Sequence, residues 1–517
     1  MSRFDEAAPK VIIIGAGVAG LACFEKLLAD GVAREDEILI LESRDRPLGR
    51  VATSRFAGVP VDVGAAWIHG TDGNPIAARA PPVPLKPVAP ANPWTSARLL
   101  SDERVFVTCS GGARVSHSMM RRAAETFEEL MTSLGKGAAV EAVAKNDADA
   151  SLGPALHALI DERCSHEADR GAAAQMSRLL GLHVHLMELW MGASADQLQQ
   201  REFVVHEGES EDERGWGDFR GAHCVPEGGM ERVFRFLLEP ARPRILFNCA
   251  VTSVDWGGEG GVVVTAGGSA RFAAERAVIV TVPLGVLQSG AVEWTPELPT
   301  RKLEAIRRLK MGHYKKVLLT WRDCWWKQIA DAPFIVCVES PAGAAVEPGA
   351  ADTAVLRSDF TVFYNLHWQL GAPMLEATVA GRDAQLLGRY SDAQIQTAMV
   401  ARLRASLCGG PADEARAVVP EPDDVHVSTW ETDPHSRGAY SFWPVGASED
   451  DVAELASPLY APTGEVPRVI FAGEATDAEG QGSVHGAFAS GRRAAGELAP
   501  AAALDEEGEP PGLKISP

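Results

Sequence analysis

The sequence predicts an α/β protein built around a Rossmann-like nucleotide-binding unit. Three observations predict it. A β-branched run, VIII, passes directly into Gly15, Gly17 and Gly20 within VIIIGAGVAG. The helical stretch LACFEKLLAD follows. A second apolar run, ILIL, then ends in Glu42. Strand, glycine turn, helix, strand and acid in this order make the βαβ unit that binds dinucleotides.

Each part has a physical reason. Gly15 permits the tight turn, Gly17 lets the backbone approach a pyrophosphate, and Gly20 lets the helix pack close to its strand. The helix N-terminus, with Ala19 in its first turn, offers free N–H groups and a positive dipole end to phosphates. Glu42 is placed to accept hydrogen bonds from ribose hydroxyls. This unit alone leaves NAD and FAD equally open.

The chain has 517 residues, more than one typical domain, which predicts two or three. Its 46% hydrophobic and 23% charged content is ordinary for a globular protein. No apolar run reaches about eighteen residues, so no membrane span is expected. MSRFDEAAPK is too short and acidic for a secretory signal, and LKISP matches no targeting address, so a cytoplasmic location is expected. Eight scattered cysteines without a CxxC pair suggest free thiols and no metal site. The formal net charge of −21, from 49 basic and 70 acidic residues, argues against nucleic acid or an anionic membrane as partner. It favours approach of a cationic substrate, although plain solubility accounts for most of it.

Along the chain, ARAPPVPLKPVAPANP reads as a Pro-rich loop. Val115 to Gly192 reads as helical, and the acidic run Glu207 to Arg214 as a solvated loop. HCVPEGGMERV, RILFNCAVTSVDW, Val262 to Thr265 and Ala277 to Pro283 read as strands. A mixed region over about 300–425 holds YKKVLLTW, FIVCVES and the helical SDAQIQTAMVARLRASL. The last block runs strand, loop, helix, with VIFAGE delivering Glu474 and a helix from Ser483 to Leu498. Residues 501–517 are expected to be disordered. The return of a strand–acid–helix block at the far end suits a flavoprotein whose two chain ends build one cofactor domain.

These segments resemble the flavin-dependent amine oxidase family, and within it the polyamine oxidases. The resemblance rests on VIIIGAGVAGL, RPLGRVAT, VDVGAAWIHGTDGNPI, VPEGGMERV, NCAVTSV, VTVPLGVL, MGHYKKVLLTW, RGAYSFWPVG and FAGEATDAEGQGSVHGAFASGRRAA, in family order over residues 11–498. It implies an FAD-binding Rossmann-like domain (1–90, 220–300 and 425–500) interleaved with an α+β substrate-binding domain (91–219 and 301–424). By the same resemblance Arg50, Gly64, Ala65 and Trp67 belong to the cofactor site, and Val251 holds the adenine through its backbone. Glu474 binds the ribityl and pyrophosphate end, and Ser483 and Val484 lie near the flavin. One departure stands out: Leu48 replaces the first of two glycines before Arg50. No cysteine follows Cys408, which implies non-covalent FAD.

The implied chemistry is oxidation of a small cationic polyamine, with O2 as the acceptor and a monomer or weak homodimer as the working unit. Hydride passes from the carbon beside the amine to flavin N5. The imine is hydrolysed to an aldehyde and a smaller amine, and oxygen ends as hydrogen peroxide. Lys316 aligns with the family's active-site lysine, whose pKa burial would lower; spacing alone reads it as a surface lysine on an edge strand. Its neighbour Lys315 should point to the opposite face. His69 falls where animal polyamine oxidases carry histidine and would line the substrate tunnel. Tyr440 matches an aromatic position facing the flavin. Ser483 is a further substrate contact. Glu188 is either a distal ammonium ligand or an ordinary helix carboxylate. A lysine demethylase or L-amino-acid oxidase on the same fold, and a non-catalytic flavin binder, are the competing readings.

Overall fold

The computed structural model describes residues 8–80, 82–88, 99–100, 102–134, 150–203, 219–339, 356, 358–408, 412–461, 464 and 466–499. The acidic run 207–214 and the tail 501–517 lie outside these residues. The chain divides into two compact units, each assembled from separated segments. The first is Met1–Gly49, Phe234–Ile306 and Glu449–Pro517; the second is Arg50–Val233 and Arg307–Ser448.

The first unit is built on a six-stranded sheet. Val11–Ile14 sits near its centre, paired in parallel with Ile38–Leu41 on one side and Ala277–Val280 on the other. Pro467–Phe471 adds in parallel to Ala277–Val280, so the last block of the chain joins the same sheet as the first. All twelve residues of the runs VIII, ILIL and AVIV are buried, as expected for parallel strands covered on both faces. The helices Val18–Ala29 and Val484–Gly496 pack on each other. A side chain at Gly491 would come within 2.1 Å of the Ala19 carbonyl, so glycine is what permits their approach. A separate four-stranded sheet contains Val251–Asp255 and Val262–Ala266.

The second unit is built on a seven-stranded, largely antiparallel sheet. Tyr314–Thr320 pairs with Met374–Ala380 and with Asp424–Val427, so it is not an edge strand. Strand alternation gives this sheet two chemically distinct faces. Leu318, Tyr364 and Met374 join a core shared with the helices His117–Leu134, Leu152–Ser165 and Arg170–Met191. Val317, Leu319 and Leu375 join a second core with the helix Asp392–Leu407.

Two local expectations change. The Pro-rich stretch contains a strand, Leu85–Pro87, paired with Cys224–Pro226. Proline is tolerated there because Leu85–Pro87 is an edge strand, paired on one side with Cys224–Pro226. HCVPEGGMERV is strand only over Cys224–Pro226; it then turns through Gly228 and Gly229, both at positive φ, into a short 3-10 helix at Met230–Arg232. Among the described residues no helix is long and apolar enough to cross a membrane.

Candidate active site

In the first unit, the predicted nucleotide-binding residues gather at the carboxyl edge of the parallel sheet, where open α/β sheets bind ligands. Three glycines there have different reasons to be glycine. Gly15 has φ 108°, and a Cβ on it would lie 2.5 Å from Thr281 Oγ1. A Cβ on Gly20 would lie 2.1 Å from the Gly15 carbonyl oxygen. A Cβ on Gly17 would meet nothing within 4 Å. The protein's own packing therefore does not require Gly17, and the open space fits close approach of a pyrophosphate.

Glu42 is buried at the end of its strand. Its Oε2 accepts from the Ala16 N–H at 2.8 Å, and its Oε1 from the Arg44 N–H at 2.9 Å and the Ser43 hydroxyl at 3.3 Å. A carboxylate has about four acceptor positions, so capacity for a ribose hydroxyl remains. The Cys249 N–H donates to the Glu42 carbonyl at 2.8 Å, which brings the start of the Val251 strand beside it. Glu474, also buried, accepts from the Gly482 N–H at 2.9 Å and so ties down the loop before the last helix. Ser483 caps that helix by accepting from Gly486 N–H at 2.9 Å, and Val484 is its first residue. Gln481 Nε2 in the same loop is buried without a hydrogen-bond partner among the described residues. An orphaned donor in this loop fits an absent ligand. Leu48 is also here, with φ 69°, a left-handed conformation that suits glycine and costs a leucine about 1–3 kcal/mol. Its N–H donates to the Ala16 carbonyl at 2.8 Å.

In the second unit, Arg50 donates to the Ala439 carbonyl at 2.9 Å. Gly64 allows close chain approach, because a Cβ there would lie 2.0 Å from the Arg50 carbonyl oxygen. The Ala65 N–H donates to that same oxygen at 3.1 Å. Gly64 and Ala65 thus brace the backbone of Arg50.

Four more predicted residues of this unit, Trp67, His69, Lys316 and Tyr440, lie on a closed circuit of contacts. Trp67 meets Tyr364 edge-on at 5.8 Å between ring centroids. Tyr364 pairs in register with Glu376 on the neighbouring strand. Glu376 Oε2 lies 3.6 Å from Lys316 Nζ. Two residues before Lys316, on the same strand face, Tyr314 lies 6.1 Å from Tyr440. The Tyr440 hydroxyl donates to the Trp190 carbonyl at 3.0 Å. The Trp190 ring meets His69 edge-on at 5.1 Å, and His69 lies 6.2 Å from Trp67. The circuit brings together Trp67, His69, Lys316 and Tyr440. Glu376, Tyr364, Trp190 and Tyr314 were not singled out from sequence. A lone carboxylate in the apolar strand MLEATVA was the signal available for Glu376.

Its electrostatics are set by burial. Lys316 Nζ donates to the Asp62 carbonyl oxygen at 2.9 Å. Burial pushes the Glu376 carboxyl above its ordinary value, and the Lys316 ammonium opposes that rise. Burial raises Asp62 to about 6, against hydrogen bonds from Thr53 and the Met230 N–H. Burial also raises the Tyr440 phenol, which keeps it a neutral donor. Lys315 points to the other face, where its ammonium meets Glu431 at 2.8 Å and the Ser428 carbonyl at 2.9 Å. Glu188 stands apart from the circuit. Its Oε1 accepts from the Ala195 N–H at 2.9 Å, and its Oε2 lies 3.7 Å from His185 Nδ1. These contacts serve the turn that follows its helix.

A family profile described as flavin containing amine oxidoreductase matches residues 18–499. The chain belongs to this family. With membership comes the enzyme class, a flavin-dependent amine oxidoreductase, and FAD as the cofactor that suits the glycine turn and Glu42. Among its curated relatives, polyamine oxidase 4 of Oryza sativa subsp. japonica is 30% identical over 503 residues, covering 96% of this chain and 90% of the relative. Lysine-specific histone demethylase 1 homolog 1 of Arabidopsis thaliana is 31% identical over 497 residues, covering 95% of this chain. The chain spans about half, 52%, of that relative's length. Among solved structures, putrescine oxidase bound to putrescine aligns with a TM-score of 0.66 at 20% identity, over 95% of this chain and 98% of that one. That likeness speaks to the fold of the amine oxidoreductase.

Proposed function

We propose that this amine oxidoreductase oxidises small polyamines such as spermine and spermidine, in free or acetylated form, with O2 as the acceptor. The observation that carries the reading is the circuit of Trp67, His69, Trp190, Tyr440, Tyr314, Lys316, Glu376 and Tyr364. It combines aromatic faces, which attract ammonium groups, with one buried carboxylate and one lysine. An elongated cation with an apolar stem suits such surroundings. The name of the rice relative and the net charge of −21 support the same reading.

FAD, when bound, would supply the acceptor for a hydride from the carbon beside the amine nitrogen and the route of two electrons to oxygen. Gly17, Glu42, Val251, Glu474, Ser483 and Val484, all of the first unit, would hold it, without a covalent link. The chain's own groups orient the amine, exclude water and control protons. Trp67 and Tyr440 supply aromatic faces for the substrate chain. Lys316 presents Nζ within this circuit, with Glu376 as its counter-charge. Water then adds to the imine carbon, and the C–N bond breaks to give aldehyde and amine.

A methylated lysine side chain is the second reading, favoured by the Arabidopsis demethylase homologue at 31% identity. The test is product analysis. The FAD-loaded protein is incubated with spermidine, spermine, acetylated spermine and a methyl-lysine peptide in air. Equimolar hydrogen peroxide and aldehyde from a polyamine support the proposal. Formaldehyde and peroxide from the peptide alone would replace it with the second reading.

A further inference from the structure

We propose that His223 is a positioning residue for His69, and that the two imidazoles together accept one proton from a cationic amine as it binds. The proposal rests on the amine-oxidising reading of the site. The two Nδ1 atoms lie 3.2 Å apart, with the rings edge to face at 78°. His223 is only 4% exposed. The pair is fixed by its backbone as well. Ile68 and Cys224, the residues flanking the pair, exchange two backbone hydrogen bonds, at 2.8 and 3.0 Å. The His69 carbonyl accepts from the Phe219 N–H at 3.2 Å, and the His223 carbonyl from the Val88 N–H at 2.8 Å. This ladder holds the two Cα positions side by side, so the rings meet without any backbone movement.

Two Nδ1 atoms in hydrogen-bond contact need one proton between them. The neutral pair has it, with one ring donating and the other accepting. A pair with one added proton keeps the same contact. A second added proton sets N–H against N–H and cation against cation, which is resisted. The pair therefore takes up one proton readily and no more. That suits the reaction. A polyamine nitrogen arrives as ammonium, and its lone pair must be free before hydride can leave the adjacent carbon. One N–H bond of the ammonium breaks, and one N–H bond of an imidazole forms.

Charged groups also stand on the surrounding elements. On the helix carrying Trp190, Glu188 is bonded to Ala195 N–H and lies near His185. In the adjacent turn, Asp72 and Arg220 are bridged through their backbones. On the Leu85–Pro87 strand, Lys86 Nζ lies 3.5 Å from the Gln369 carbonyl. Next to His223, burial raises the Cys224 thiol, which stays neutral.

Two measurements on the FAD-loaded protein test the proposal. In the first, ring-nitrogen NMR of 15N-histidine-labelled protein is titrated without substrate. His69 and His223 should titrate as a coupled pair with two separated steps, and the coupling should be lost in His223→Gln. Independent, unperturbed titration of both rings would overturn the proposal. In the second, spermine bleaches the flavin anaerobically across pH 6–9. In His223→Phe the acid limb of the rate profile should move up by about one unit, roughly a tenfold loss near neutral pH. A uniform fall with an unmoved profile would make His223 merely structural and overturn the proposal. A flavin that spermine fails to bleach would count against the polyamine reading, and the ring-nitrogen titration would still decide the proposal.

Discussion

Lys316 and Glu376 form a buried ion pair across two adjacent strands, with Nζ 3.6 Å from Oε2. Side-chain exposure is 10% for the lysine and 8% for the glutamate, so water screens the pair little. Removing one partner leaves a buried charge whose other contact is the Asp62 carbonyl. Glu376→Gln should therefore destabilise the protein by about 3 kcal/mol, read by thermal unfolding. It should also shift the pH profile of flavin reduction. An unchanged midpoint and profile would remove Glu376 from the account.

Lys316→Met should slow turnover while FAD stays bound, because the lysine's side chain meets Glu376 and the Asp62 carbonyl rather than residues that would hold the cofactor. Steady-state rates equal to the parent's across the pH range would remove Lys316 from its role. Glu42→Ala should instead lose FAD, measured by flavin absorbance after gel filtration.

The glycine turn gives a paired test. Gly20→Ala should cost several kcal/mol, because its Cβ would strike the Gly15 carbonyl oxygen at 2.1 Å. Gly17→Ala should change apo-protein stability by no more than about 0.5 kcal/mol, since its Cβ meets nothing within 4 Å. FAD affinity should nonetheless fall about tenfold or more, the equivalent of ~1.4 kcal/mol. Unfolding and flavin titration of both variants separate packing from ligand approach.

Tyr440→Phe deletes the hydroxyl that donates to the carbonyls of Leu189 and Trp190. A neutral hydrogen bond is worth about 1 kcal/mol. The expected result is a loss of about 1 kcal/mol in stability, read by thermal unfolding, with kcat little changed. A fall in kcat alone would place Tyr440 in the chemical step.

His183 is fully buried and stacked on Phe127 at 4.7 Å, with neither ring nitrogen bonded among the described residues. Burial lowers its pKa to about 3 from an ordinary 6.5. The unfolded chain takes up this proton below pH 6.5 and the folded chain does not, so stability falls as pH drops from about 6.5 toward 3. Between pH 7 and 4.5 the loss is about 3 kcal/mol. His183→Leu should unfold less readily than the parent at pH 4.5, relative to pH 7, in urea. Equal acid sensitivity would contradict the assignment.

The parts of the fold legible in sequence were the local ones. VIII, the three glycines, ILIL and Glu42 carry strand, turn and acid in one short stretch, and Val11–Ile14, Val18–Ala29 and Ile38–Leu41 follow that pattern. The Leu85–Pro87 strand was hidden because its only support is pairing with Cys224–Pro226, far along the chain. The same physics limits the site. The surroundings of Lys316 depend on sheet register, and nothing near Lys316 in sequence announces Glu376 or Asp62. Trp190 and His223 stood in recognisable segments, but only the folded chain brings them against His69.

The most direct test of amine oxidation by this protein is anaerobic. Purified protein with its yellow oxidised flavin is mixed in turn with spermine, spermidine, a methyl-lysine peptide and a free amino acid, and the visible spectrum is followed. A polyamine should bleach the flavin. An oxidised spectrum that persists with every polyamine, while the amino acid or the peptide bleaches it, would contradict it.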